Sequence, residues 1–176
     1  EPETDIWQRC QISIKELAET AGDYGVCLML ETQSQEESLF MNTVYQQQQM
    51  IAQVGHPNLK AMLDTVQLAQ FDQGVDENIG VLGIHNVKHV HLGNTIVQER
   101  SWYDRQLPEH LRKGRKVVGH IGLREGNLPI GKYLRELAAK EYKEYITIEI
   151  CQRAYFMDAH RYAMEAFEYV MEQIMN

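Results

Sequence analysis

Four side chains able to bind a hard or borderline cation stand in or just after short apolar runs. Glu31 follows Val26 to Leu30, Asp64 follows Leu59 to Leu63, His91 lies within Val87 to Leu92, and Glu149 lies within Tyr145 to Ile150. Three carboxylates and one imidazole make an oxygen-rich, mixed donor set suited to Mn²⁺, with Mg²⁺, Co²⁺, Zn²⁺ and Fe²⁺ also compatible. Any one of them alone would be read as a helix cap or an ion-pair partner, because most charged side chains are solvated. Their weight comes from register, since each closes a run with the composition of a buried parallel strand. Two glutamates flanking a bound hydroxy-carbonyl compound can take a proton from carbon and return one, while a metal stabilises the ene-diolate oxygens. That is isomerase or epimerase chemistry.

The elements that must position these groups follow one grammar. Pro2 to Ala21 places Ile6, Cys10, Ile14, Leu17, Ala18 and Ala21 on one helical face. Gly22 and Gly25 break that pattern before the first strand, and a second helix is expected over 37–54, with Gln46 to Gln49 on its solvent side. Gly55, Pro57 and Asn58 form a turn into the second strand, and a weaker helix over 77–83 leads to the third, where alternation puts His89 and His91 on one face. Asn127 and Pro129 are read as N-cap and first helical residue of a helix running to about Lys140. A closing helix over 158–174 carries a stripe of Ala163, Phe167, Val170, Met171 and Ile174, expected to dock on the outside of a sheet. A helix followed by four strand-plus-helix units is βαβ order, so the expected fold class is α/β with parallel strands and right-handed crossovers in a single domain over 1–176. In a parallel barrel the C-terminal strand ends share the face that holds the active site.

Composition narrows the partner. The formal charge of −8 is the wrong sign for a phosphate-binding face, so no nucleic acid is expected. No apolar run approaches the length of a membrane span and the first residues lack the character of a signal peptide, so no membrane is expected either and the chain is read as cytoplasmic. Cys10, Cys27 and Cys151 include no Cys-x-x-Cys pair and are read as reduced, mostly buried thiols.

Four stretches resemble the xylose-isomerase-like (β/α)8 barrel superfamily, particularly the D-tagatose 3-epimerase-like sugar phosphate isomerase/epimerase group. They are Gly25 to Glu31, Leu59 to Thr65, His89 to Leu92 and Tyr145 to Glu149, with a fifth, His120 to Ile130, between the last two. The resemblance implies a metal held by Glu31, Asp64, His91 and Glu149, with Glu31 and Glu149 also the acid/base pair. It implies substrate contacts at Glu37, Gln67 and His120, and a small carbohydrate as substrate. Epimerases of this group usually carry histidine where this chain has Gln67, and glutamine cannot shuttle protons as imidazole does. A lyase acting on an oxidised sugar, similar to a C-glycoside deglycosidase, is therefore the runner-up. The 91–120 stretch is also longer than usual, with Trp102, Tyr103 and the basic residues Arg112, Lys113, Arg115 and Lys116, and reads as a lid, an interface or an anion contact.

A complete (β/α)8 barrel takes about 250 residues, and only the counterparts of its last four strands are recognisable here. Two open sheet edges and a bare inner face would leave backbone groups unpaired, so a second chain or another copy of this one is expected to complete the barrel. The first residue is Glu and not Met, which fits a processed or truncated piece. Two further readings stand beside the enzyme: a non-catalytic barrel fragment with relic ligands, and an apurinic endonuclease, which the acidic charge disfavours.

Overall fold

A computed structural model describes residues 2–35, 37–38, 40–108 and 114–175, and side chains from residue 5 onward. The element order is α1 (Pro2–Asp23), β1 (Leu28–Leu30), α2 (Val44–Val54), β2 (Leu59–Asp64), α3 (Thr65–Leu68), α4 (Val75–Leu82), β3 (Val87–Leu92), α5 (Trp102–Gln106), α6 (Ile130–Ala139), β4 (Tyr145–Ile148), α7 (Arg153–Phe156) and α8 (Ala159–Met175). The strands form one sheet in the order β1-β2-β3-β4, all pairs parallel. This is the expected α/β architecture, and no helix among the described residues is long and apolar enough to cross a membrane.

Strand alternation divides the sheet into two unlike faces. One carries Ala61, Leu63 and Val90, joined by Val87 through a register shift at Ala61/Met62, and packs with Val44, Ile79, Leu82, Tyr133 and Leu137 of α2, α4 and α6 into a buried core. The other carries Met62 and His89, which are half-buried, and Tyr145, which is 78% exposed. The interior of a closed barrel is packed. Here the inner face is open, and β4 is an edge strand.

Several local expectations are corrected. The second helix begins at Val44 and not at 37, because Thr43 closes a capping box with Gln46 and the residues before it are held as a loop. Asn42 donates from Nδ2 to the carbonyls of Gln33 and Ser38, both at 2.7 Å, and so pins that loop. Gln46 to Gln49 is not simply a solvent face: Gln46 serves the cap, and Gln47 is fully buried with Nε2 donating to Leu30 O and Met62 O, both at 2.7 Å. The sixth helix starts at Ile130 with Pro129 at the cap position, while Asn127 accepts from Val97 N at 3.0 Å instead of capping. The first strand starts at Leu28 and the fourth stops at Ile148, so Val26 and Glu149 lie outside them. On α8 only Ala166 is fully buried; Phe167, Met171 and Ile174 of the expected stripe are exposed because no helix among the described residues covers that side. Ile6 and Leu17 of α1 are exposed in the same way at the other end. Nor are the thiols mostly buried, since Cys27 and Cys151 are both exposed near sheet ends.

Candidate metal centre

Pairing register brings the donors together. Asp64 is opposite His91, and His91 is opposite Thr147, two residues before Glu149. The ladder continues past β4 through Glu149 N donating to Leu92 O at 3.0 Å. On the other side Leu30 pairs with Ala61, which puts Glu31 level with Met62 at the end of β1. The four side chains therefore meet at the C-terminal rim of the inner face.

His91 Nδ1 stands 3.6 Å from Glu31 Oε1, 3.8 Å from Asp64 Oδ2 and 2.8 Å from Glu149 Oε2. Asp64 is fully buried, and its two oxygens are divided between duties. Oδ1 caps α3 by accepting from Val66 N and Gln67 N, at 2.7 and 2.9 Å, which leaves Oδ2 facing the cluster. His120 Nε2 lies 3.0 Å from that Oδ2 and 3.7 Å from Glu149 Oε2, so the loop before α6 adds a fifth group.

The electrostatics of the cluster are those of a site short of positive charge. Burial, followed by the charges of Asp64 and Glu149, raises Glu31 to about 7. Burial alone would lower His120, but its hydrogen bond with Asp64 and the charges of Asp64, Glu149 and Glu31 outweigh that and raise it. His91 Nδ1 and Glu149 Oε2 are shut off from solvent and neither makes a hydrogen bond, although they lie close together. Unpartnered buried polar atoms are costly, and a cation between them would satisfy both. The residues present thus fit a divalent ion, with Glu31, Asp64, His91 and Glu149 as its donors.

The remaining candidate residues sit around this cluster. Glu37 is in the loop before α2, where burial would raise it but hydrogen bonds from Ser34 and Gln67 lower it. Gln67 Nε2 donates to Glu37 Oε2 at 3.0 Å, so the two expected substrate contacts touch each other. His89 packs edge-on against His91 and shares a 2.7 Å hydrogen bond with Thr147 Oγ1.

Of the basic residues, Arg112 and Lys113 lie outside the described residues. Arg115 is engaged by the protein itself, donating to the carbonyls of Ala69 and Phe71 at 2.9 and 3.0 Å. A cavity of about 360 Å³ lies between 98–104 and 114–116, apart from the carboxylates.

Two contributors were not singled out from the sequence. Cys151 Sγ donates to Glu149 Oε1 at 3.2 Å, and burial, then the bond to Glu149 and its charge, raise the thiol to about 11. The signal was the spacing: two residues past Glu149 on an extended segment returns to the same side. Gly93 is the other. A Cβ there would lie 2.6 Å from His120 Cδ2, 2.9 Å from Val66 Cγ2 and 3.2 Å from Glu149 O, so only glycine lets the loop and strand end approach so closely.

The chain has counterparts among known proteins. The model of a family described as xylose isomerase-like TIM barrel matches residues 1–173. The chain belongs to that family. It is similar to a D-psicose 3-epimerase from Ruminiclostridium cellulolyticum, with 31% identity over 87 residues, which is 49% of this chain and 29% of that protein. Its fold matches a D-allulose 3-epimerase from Methylomonas sp. at a TM-score of 0.74 and 19% identity, over 95% of this chain and 55% of the other. A xylose isomerase-like TIM barrel protein from Mycobacterium smegmatis, in complex with magnesium, matches at a TM-score of 0.66 and 15% identity, over 96% and 50%. The chain thus spans about half the length of these solved structures and less than a third of the curated relative.

Proposed function

We propose that this chain is the metal-bearing half of a divalent-metal-dependent sugar isomerase or epimerase, acting by proton transfer at a carbon next to a carbonyl. The observation that carries this reading is the convergence of Glu31, Asp64 and Glu149 oxygens within 3.8 Å of His91 Nδ1. A bound divalent ion, Mn²⁺ by preference, would supply a Lewis acid for the negative charge that develops on the sugar oxygens.

The chain's own groups do the rest. Glu31 and Glu149 reach the site from the first and last strands of the sheet, so a sugar between them presents opposite faces of its reacting carbon to two carboxylates. One removes the proton and the other returns it. In the metal-free site Glu31 is raised to about 7, and a bound cation would draw it toward the carboxylate, the form that removes a proton. Glu37 and Gln67, joined to each other, offer an acceptor and an amide to sugar hydroxyls, and His120 offers an imidazole beside Asp64. The likeness to a D-psicose 3-epimerase supports a ketose as substrate class.

A lyase acting on an oxidised sugar is the second reading, favoured by Gln67. An amide bonded to Glu37 cannot relay a proton, which weakens ketose 3-epimerisation but not proton removal beside an existing carbonyl. The open inner face requires a partner supplying the other four strands, either a second chain or another copy of this one, before a sugar can be enclosed.

The test is solvent exchange. Incubated in D₂O with Mn²⁺ and the complementary half-barrel, the chain should place deuterium at the carbon next to the carbonyl of a ketohexose, read by NMR, and Glu149→Gln should abolish it. Exchange that persists in Glu149→Gln would overturn the acid/base assignment. Elimination from a 3-keto-glycoside without ketose exchange would select the lyase.

A further inference from the structure

We infer that the site takes a second, thiophilic cation on His120, Glu149 and Cys151, with Glu149 shared between the two ions. The four-donor reading accounts for one oxygen of Glu149, Oε2, which faces His91 at 2.8 Å. The other, Oε1, faces Cys151 Sγ at 3.2 Å. Oε2 also lies 3.7 Å from His120 Nε2, so Glu149 borders both donor groups, as a bridging ligand would. Glu31, Asp64 and His91 offer donor atoms all within 4.8 Å of one another, and so, separately, do His120, Glu149 and Cys151.

The second group is built and not accidental. Cys151 N donates to His120 O at 3.1 Å, so a main-chain bond fixes the two segments that carry the imidazole and the thiol. The His120 ring sits over Gly93, where any Cβ would collide with it. On the far side the loop carrying His120 is tied down by Tyr155, whose hydroxyl donates to Glu125 Oε2 at 2.5 Å and accepts from Gly122 N at 3.0 Å. Glu149 Oε2 remains buried without a hydrogen bond.

The donor chemistry sets the ion class. Sulfur, nitrogen and a carboxylate oxygen suit Zn²⁺ or Co²⁺, whereas the oxygen-rich first group accepts harder ions. On binding, the Cys151 S–H bond breaks, its proton passes to solvent, and the thiolate electron pair goes to the cation.

The experiment titrates Co²⁺ into the full 176-residue chain with its thiols kept reduced by a phosphine. Bound equivalents are measured by equilibrium dialysis and thiolate ligation by the sulfur-to-cobalt charge-transfer band. The expected result is two equivalents, the second rising with the band. Cys151→Ser should lose the band and halve the stoichiometry, and His120→Gln should also bind one equivalent. One equivalent without a band in the unaltered chain overturns the second site and leaves the four-donor reading standing, whereas no binding at all overturns both. A band that survives in Cys151→Ser belongs to Cys10 or Cys27 and overturns the inference, as do two equivalents with no band.

Discussion

At the residue scale the site is a crowd of negative charge held in place by the protein's own hydrogen bonds. Asp64 was legible as a run-ending carboxylate, and its reading as a helix cap, the bland alternative, also holds: Oδ1 caps α3 while Oδ2 faces the cluster. Both roles fit one side chain because a carboxylate has two oxygens. Cys151 carried a signal in its spacing from Glu149, whereas Gly93 was not legible, because a glycine gains meaning only from what stands within a few ångströms of it. The charge has a pH signature. Glu31 is raised in the folded chain from 4.5 to about 7 and His120 is raised above 6.5, so the folded state holds more protons than the unfolded one between these values. Stability from both groups is present at the acid end and is lost as pH rises through their folded values. The metal-free chain should therefore show a falling thermal midpoint from about pH 5 to pH 8. Glu31→Gln should flatten that fall by stabilising the chain at the alkaline end, with little effect at the acid end. Cation affinity should move oppositely, strengthening with pH as Glu31 loses its proton. A metal-free midpoint independent of pH in this range would contradict the crowding.

At the element scale, the four parallel strands were legible because strands built to be covered on both faces read as near-continuous apolar runs. Helix boundaries were less so. The start of α2 was missed because its cap, Thr43 with Gln46, lies inside a polar stretch that continues helical periodicity. Gln47 was read as solvated because polar type ordinarily means exposure, yet its amide clamps β1 to β2 just before Glu31 and Asp64. Gln47→Leu removes both bonds and strands two carbonyls, so urea unfolding should show a loss of about 1–3 kcal/mol. Gly93→Ala is the sharper test of packing. Its Cβ would overlap His120 and Val66, which should cost about 1–3 kcal/mol and weaken cation binding by moving His120 and the Glu149 main chain. Unchanged stability and binding in Gly93→Ala would show that this close approach is not required.

At the scale of the whole molecule, the chain belongs to a barrel family and spans about half the length of the solved structures it matches. Four strands were recognisable and four are present among the described residues. The sequence also implied that an incomplete sheet leaves its inner face bare, and Tyr145 is 78% exposed on β4. The stripe on α8 was expected to dock on the sheet, but α8 turns Ala166 inward instead and leaves Phe167, Met171 and Ile174 exposed. On its own, the chain should bind a hydrophobic dye and self-associate in light scattering, and the complementary half-barrel should suppress both. A dye-silent monomer would contradict the open face. Activity should require that partner, but cation binding should not, because every proposed donor belongs to this chain.

That independence makes one measurement decisive: calorimetric titration of Mn²⁺ into the metal-free chain beside Glu149→Gln. Saturable binding by the chain that is lost in the variant is the expected result. No binding by the chain, or equal binding by the variant, would contradict a cation held by Glu31, Asp64, His91 and Glu149.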